Sequence, residues 1–200
     1  MILMKKNNLF YLFSKDILNF LSKIKNYYKL KNKFKGSLIK YPIEIKFSDI
    51  NNIHISKNVV ISSNVVLRIL NTCKLFIGEG TYIGPNCHIA GTKNNIKIGR
   101  DVLISDRVFI STTEHRYEDV TKPINQQGFI SKGDIVIDDE CLMGIGSVIL
   151  TGVKIGKHSI IGANSVVTHS IPSYSVAVGN PASVIKRYSS KQKKWLRVKQ

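Results

Sequence analysis

His115 is the residue in this chain whose type and setting best suit it to move protons. It stands in the polar run Ser111-Thr112-Thr113-Glu114-His115-Arg116-Tyr117-Glu118-Asp119-Val120. An imidazole with its ordinary pKa of about 6.5 takes and returns a proton near neutral pH. Glu114 beside it either orients the ring or is solvated. His54, His88, His158 and His169 form no close pair with His115. Cys73, Cys87 and Cys141 are an odd, scattered set without a CxxC spacing. Neither a metal site nor a disulfide framework is therefore expected.

The elements that position His115 are written in a spacing of six. Ile137, Met143, Ile149, Ile155, Ile161 and Val167 stand six residues apart, and the same beat runs through Ile98, Ile104 and Ile110. Upstream it passes Ile53, Val59, Val65, Asn71, Ile77, Ile83 and Ile89. All of these positions but Asn71 hold Ile, Val or Met, in a chain only 43% hydrophobic. A period of six fits neither a helix nor the alternation of one strand. It predicts a coil of short flat strands, one hexapeptide per side, with an aliphatic side chain pointing inward on each. Glycine follows the beat at Gly78, Gly84, Gly99, Gly144, Gly156 and Gly162, as tight corners require. A small or β-branched residue comes four places after it, as at Thr81, Cys87, Val102, Cys141, Ser147 and Ser165. A β-sandwich keeps no such register over about 120 residues.

The beat breaks twice. Ile89 to Ile98 is three residues too long, in a polar turn at Gly91–Asn95. Ile110 to Ile137 carries twenty-one extra residues, and His115 lies at the start of that insertion. A long loop on a rigid coil is where chemistry is commonly sited.

The net charge of +17 points to anionic partners: phosphorylated ligands, a membrane surface or nucleic acid. No nucleic-acid motif accompanies it, so nucleic acid is not an expected partner. Reduced thiols and the lack of a signal peptide or spanning segment point to the cytoplasm. Residues 1–35 hold nine lysines and one acid, Asp16. Phe10, Phe13, Ile17, Phe20, Ile24 and Tyr27 make an apolar stripe at helical spacing. This predicts a basic amphipathic helix, lying on an anionic membrane or packed on the coil or a neighbouring subunit. The expected division is a helical extension at 1–35, a coiled domain at 36–188 and a basic tail at 189–200. Repeats run from about Ile53 to Ile171, stop at Pro172, and leave a tail that is a short helix or frayed.

The Ile-Gly repeats, the looped-out histidine, Ile161-Gly162-Ala163-Asn164-Ser165-Val166-Val167-Thr168 and Val178-Gly179-Asn180-Pro181-Ala182 resemble the hexapeptide-repeat acyltransferases. The likeness is greatest to galactoside, maltose and surface-polysaccharide O-acetyltransferases, and it covers roughly residues 53–188. It implies an all-β, left-handed parallel β-helix, an exception to the right-handed crossover preference. It also implies acetyl-CoA as co-substrate and a homotrimer with sites between subunits.

Carried onto this sequence, the resemblance makes His115 the general base. It places a backbone oxyanion donor just after Gly144, on Ile145. It sets CoA contacts near Ala163, Thr168, His169, Lys186 and Arg187. Galactoside- and maltose-type enzymes have an asparagine near position 84, then an aromatic and a downstream aspartate. Here the stretch reads Gly84-Pro85-Asn86 and then Thr92-Lys93, so a different acceptor pocket is expected. Asn86 and Glu114 are its candidate residues. The implied activity is O-acetylation of a sugar or polysaccharide precursor. N-acetylation of a nucleotide-linked amino sugar is the alternative within enzymes. An inactive β-helical scaffold or membrane-associated interaction protein is the alternative outside them.

Overall fold

The computed structural model describes the backbone of residues 3–198 and, along the N-terminal helix, side chains from residue 17 onward. Short strands wind into three parallel sheets, forming a three-sided β-solenoid. Face A begins at Leu38–Ile39 and climbs through Val60–Ile61, Tyr82–Ile83, Leu103–Ile104, Leu142–Met143 and Ile160–Ile161 to Ser175–Gly179. Face B runs from Ile43–Phe47 to Val166–Val167, and face C from Ile53–Ile55 to Lys154–Ile155.

The inward column is the predicted one. Every beat residue except Asn71 is buried, and so are Thr81, Cys87, Val102, Cys141, Ser147 and Ser165 four places on. Burial raises the thiols of Cys73, Cys87 and Cys141 to about 11. They are protonated, inert core residues at neutral pH. The glycine corners answer to crowding. A Cβ on Gly144 would sit 2.6 Å from the backbone nitrogen of Ala163 in the next coil. Positive φ falls two residues later instead, as at Asn86 (+60°), Gly146 (+70°) and Asn164 (+56°).

The first coil departs from the expected register. Ile55, Ile61 and Leu67 are the partners of Ile77, Ile83 and Ile89, whereas Ile53 pairs with Leu75. The beat through Ile53, Val59 and Val65 is therefore two residues out of phase. Asn71 lies in an exposed corner at φ +52°. Residues two apart on a strand face the same way, so both sets are inward and aliphatic, and spacing alone does not separate them.

The coil is also longer at both ends than the repeats predict. Leu38–Ile39 and Ile43–Phe47 already pair in parallel with the following coil. Pro172 does end face C, where no further strand awaits an N–H. Face A, however, gains Ser175–Gly179 beyond it. The tail is neither helical nor frayed over its described residues. Ala182–Ser189 and Lys194–Arg197 fold back as antiparallel strands on the edge of face A.

Helix α1 spans Leu3–Lys33, as the stripe predicts, and its two ends differ. Towards the C-terminus Tyr27 and Leu30 are buried with the first coil's core, and Phe34 just beyond packs against it. Asn26 Nδ2 donates to the Ile45 carbonyl at 3.0 Å and Lys33 Nζ to the Ile50 carbonyl at 2.8 Å. The helix thus caps the open end that a solenoid must cover. Further out, Ile17, Leu18, Phe20 and Leu21 are exposed. Phe10 and Phe13 of the stripe lie outside the described side chains.

Face A has an apolar outer surface. Leu38, Val60, Tyr82, Leu103, Leu142, Ile160 and Val176 stand in register up its whole height. The matching column on face C includes Lys97 and Lys154.

Candidate active site

The long insertion is a braced hairpin on the edge between faces B and C. At its root the hydroxyls of Thr92 and Thr113 lie 2.8 Å apart, which ties the outgoing strand to the coil below. The returning strand is tied to the coil above, where Lys132 N donates to Thr151 Oγ1 at 2.9 Å. Asn95 N donates to Asp134 Oδ1 at 2.8 Å and closes the base. At the tip, Asp119 accepts from Lys122 Nζ at 2.8 Å and from Thr121 Oγ1 at 2.6 Å. Lys122 and then Thr121 hold its carboxyl below the ordinary range.

His115 sits between these anchors. Glu114–His115 pairs antiparallel with Phe129–Ile130, and the imidazole packs on the Phe129 ring at a centroid distance of 4.4 Å. The ring is exposed on the solvent side. Glu114 is engaged elsewhere: its carboxylate pairs with Lys132 Nζ at 2.9 Å and raises the lysine's pKa. It braces the hairpin, and the aromatic beneath His115 limits the ring's motion.

A second group lies on the edge between faces A and B. Gly144-Ile145-Gly146 stacks under Gly162-Ala163-Asn164, with Asn164 N donating to the Ile145 carbonyl at 2.8 Å. The N–H groups of Ile145 and Ala163 meet no acceptor among the described residues. They are free donors at a corner that Gly144 keeps tight. Asn86 stands on the same edge, lower down, at a corner where Asn64 and Asn164 also take positive φ. The turn itself accounts for Asn86, since asparagine tolerates that conformation.

Thr168 and His169 belong to the B–C edge, where Thr168 Oγ1 lies 2.8 Å from His169 Nδ1. Lys186 and Arg187 are carried by the terminal hairpin. Lys186 opposes Arg197, and with Ile185 and Val198 they line a cleft of about 470 Å3. Arg197 was not anticipated, because its pairing with Lys186 depends on a turn whose register the sequence does not reveal. Among the described residues no three His, Cys, Asp or Glu are grouped to hold a metal ion.

Residues 134–169 match the family described as bacterial transferase hexapeptide (six repeats). Over 132 residues the chain is 33% identical to the putative colanic acid biosynthesis acetyltransferase WcaF of Escherichia coli, covering 66% of this chain and 68% of that protein. The chain belongs to the hexapeptide-repeat acyltransferase family. A probable acetyltransferase of Mycobacterium tuberculosis is 37% identical over 112 residues, but the match covers 56% of this chain and only 37% of that longer protein. Among solved structures, the polySia-specific acetyltransferase NeuO is 31% identical with a TM-score of 0.60, covering 76% of this chain and 71% of that one. AntD, an N-acyltransferase from Bacillus cereus solved with dTDP and 3-hydroxybutyryl-CoA, has a TM-score of 0.67 at 24% identity, covering 83% and 90%; at that identity the likeness is one of fold.

This hexapeptide-repeat acyltransferase thus has the left-handed parallel β-helix of its family, extended by α1 at one end and the antiparallel hairpin at the other. Of the predicted site residues, Gly144, Ile145 and Ala163 share one edge. His115, Thr168 and His169 belong to a second, and Lys186 and Arg187 to the terminal hairpin.

Proposed function

We propose that this acyltransferase moves the acetyl group of acetyl-CoA to a hydroxyl of a sugar or polysaccharide precursor, at sites completed between the copies of a homotrimer. The observation that carries the reading is the placement of His115: a solvent-facing imidazole on a hairpin anchored above and below. One ring nitrogen takes the acceptor's hydroxyl proton as its oxygen attacks the thioester carbonyl. The tetrahedral oxyanion is met by the free Ile145 N–H, a fixed donor that needs no reorganisation. Collapse breaks the C–S bond, and the imidazolium returns its proton to the departing thiolate. Ala163, Thr168 and His169 flank the cofactor's path, while Lys186, Arg187 and Arg197 meet its phosphates.

O-transfer is favoured by a likeness to the putative lipopolysaccharide biosynthesis O-acetyl transferase WbbJ of Escherichia coli, 28% identical and matched over 79% of this chain and 82% of that protein. N-transfer is named in AntD, at 24% identity, and in a Clostridium perfringens N-acetyltransferase that is matched over only 27% of its length. The test is thiol release from acetyl-CoA with matched hydroxyl and amino sugars. Release with amino sugars alone overturns O-transfer, and release with neither overturns the enzyme reading.

Assembly is supported by two features. His115 is rooted on the edge between faces B and C and Ile145 on the edge between faces A and B of the next coil, so face B separates the two edges. The outer column of face A is apolar throughout, and Leu103 is 43% exposed. Such a column on a flat side suits burial against another copy. The paired change Leu103→Glu and Leu142→Glu is expected to shift the sedimenting mass from three chains to one. The circular dichroism should stay unchanged, because both side chains point out of the coil. Retention of the trimer contradicts this interface.

Helix α1 supports a peripheral place at an anionic membrane. Among the described residues no helix is long and apolar enough to cross one. The exposed Ile17, Leu18, Phe20 and Leu21 adjoin a strongly cationic stretch that includes Lys23, Lys25 and Lys29. Each lysine near a headgroup layer contributes about 1 kcal/mol, screened by salt, and three copies on one trimer add avidity. The full-length protein is expected to co-sediment with phosphatidylserine vesicles at low salt and to be released at high salt. Leu18→Glu with Leu21→Glu is expected to abolish this. Equal binding by that variant contradicts the membrane role.

A further inference from the structure

The last two corners between faces C and A are built differently from those below them. Asn58, Gly80, Asp101 and Glu140 fill the positive-φ place in the earlier coils; His158 (+54°) and Tyr174 (+55°) fill it in the last two. Glycine, asparagine, aspartate and histidine are usual there, and tyrosine is not. The two rings stack at an angle of 29°, with centroids 5.8 Å apart. The terminal hairpin brings a second aromatic pair beside them, Tyr188 and Trp195, with centroids 5.6 Å apart. Tyr188 N donates to the Tyr174 carbonyl at 2.9 Å and fixes the hairpin to the corner. These four side chains line a cleft of about 300 Å3, near the lower end of the roughly 300–1,000 Å3 usual for small-ligand sites.

Packing alone does not account for this cluster. Tyr174 is 43% exposed and Tyr188 40%, so the rings hold apolar surface open to water. Polar groups stand at the rim. Glu140 Oε2 lies 3.1 Å from His158 Nδ1, and Lys157 Nζ lies 2.8 Å from Glu140 Oε1. Aromatic faces beside a carboxylate and an ammonium complement a pyranose ring. Its C–H face stacks on the rings, and its hydroxyls bond the rim. Lys186 and Arg197 lie next along the same hairpin, which makes a nucleotide the rival occupant. A sugar is favoured because Lys186 and Arg197 line a separate cleft with Ile185 and Val198, whereas the polar groups beside the rings are the mutually paired Glu140 and Lys157, which accept from and donate to hydroxyls.

We infer that this aromatic cleft is a glycan subsite, which holds a sugar ring of the acceptor on an edge of the coil other than the one bearing His115. The inference rests on the acceptor being a glycan, as proposed above. It gives the enzyme a second grip on an extended acceptor and favours oligosaccharides over single sugars.

Trp195 is the chain's only tryptophan and reports directly on the cleft. Its emission is to be titrated in the full-length protein with maltohexaose, a hyaluronan hexasaccharide, AMP and CoA. A saturable change is expected with at least one hexasaccharide, and it should persist in the presence of CoA. Tyr174→Asn restores a residue suited to positive φ, so its melting temperature should match or exceed the parent's, while its sugar affinity falls roughly ten-fold. Three results overturn the subsite: no response to either hexasaccharide, an unchanged affinity in Tyr174→Asn, or a response to AMP and CoA alone. The titration needs no acetyl transfer. Sugar binding without turnover therefore leaves the subsite standing and counts only against the transferase reading.

Discussion

His115→Ala is expected to bind CoA as the parent protein does and to turn over about 10²- to 10⁴-fold more slowly, the usual worth of a general acid–base group. The two effects separate because the imidazole stands on the inserted hairpin, whereas the proposed CoA contacts lie on the coil edges and the terminal hairpin. Hairpin geometry should survive the change. The main-chain pairing of Glu114–His115 with Phe129–Ile130 and the Glu114–Lys132 ion pair do not use the His115 ring. Calorimetry with CoA and steady-state rates with acetyl-CoA measure the two quantities. Near-parental turnover removes His115 from the mechanism.

Ile145→Pro is expected to lower kcat by roughly 10²- to 10³-fold, the effect of deleting one oxyanion donor. Proline removes the N–H and nothing else the corner needs. The same corner is already built with proline two coils lower, as Gly84-Pro85-Asn86 beside Gly144-Ile145-Gly146. Both carbonyls serve the next coil, that of Pro85 accepting from Arg107 N at 3.0 Å and that of Ile145 from Asn164 N at 2.8 Å. Ile145→Ala keeps the N–H and should keep the rate, since the Ile145 side chain is exposed. Equal losses in both variants would assign the effect to the side chain and contradict the backbone role.

The fold was legible from Ile77 onward because glycine, aliphatic and small residue recur together there, and three signals agree on one register. In the first coil the glycines are missing after Ile55 and Ile61. Inward residues two apart are then indistinguishable, which is how Ile53, Val59 and Val65 stood in for the true column. The outer column of face A was also written in the sequence. Tyr82, Leu103, Leu142 and Ile160 each precede a beat residue, while Lys97 and Lys154 precede those of face C.

His115 could be found because an interruption of a strict repeat is visible. The Lys186–Arg197 and Tyr188–Trp195 pairs could not. They depend on antiparallel register across a lysine-rich turn with no repeat to fix it. Glu114 shows the remaining gap: adjacency to His115 is local, but Lys132, its actual partner, comes from the far end of the insertion.

In the proposed trimer, a hydroxyl is acetylated at a site to which one copy brings His115 and its neighbour brings the Ile145 N–H. The most direct test mixes His115→Ala and Ile145→Pro, unfolds and refolds them together, and measures acetyl transfer. Random trimers place an intact His115 beside an intact Ile145 N–H at about a quarter of their interfaces. The mixture is therefore predicted to recover roughly that fraction of parental activity, far above either variant alone. Activity no greater than the mean of the two separate variants would contradict a site shared between copies.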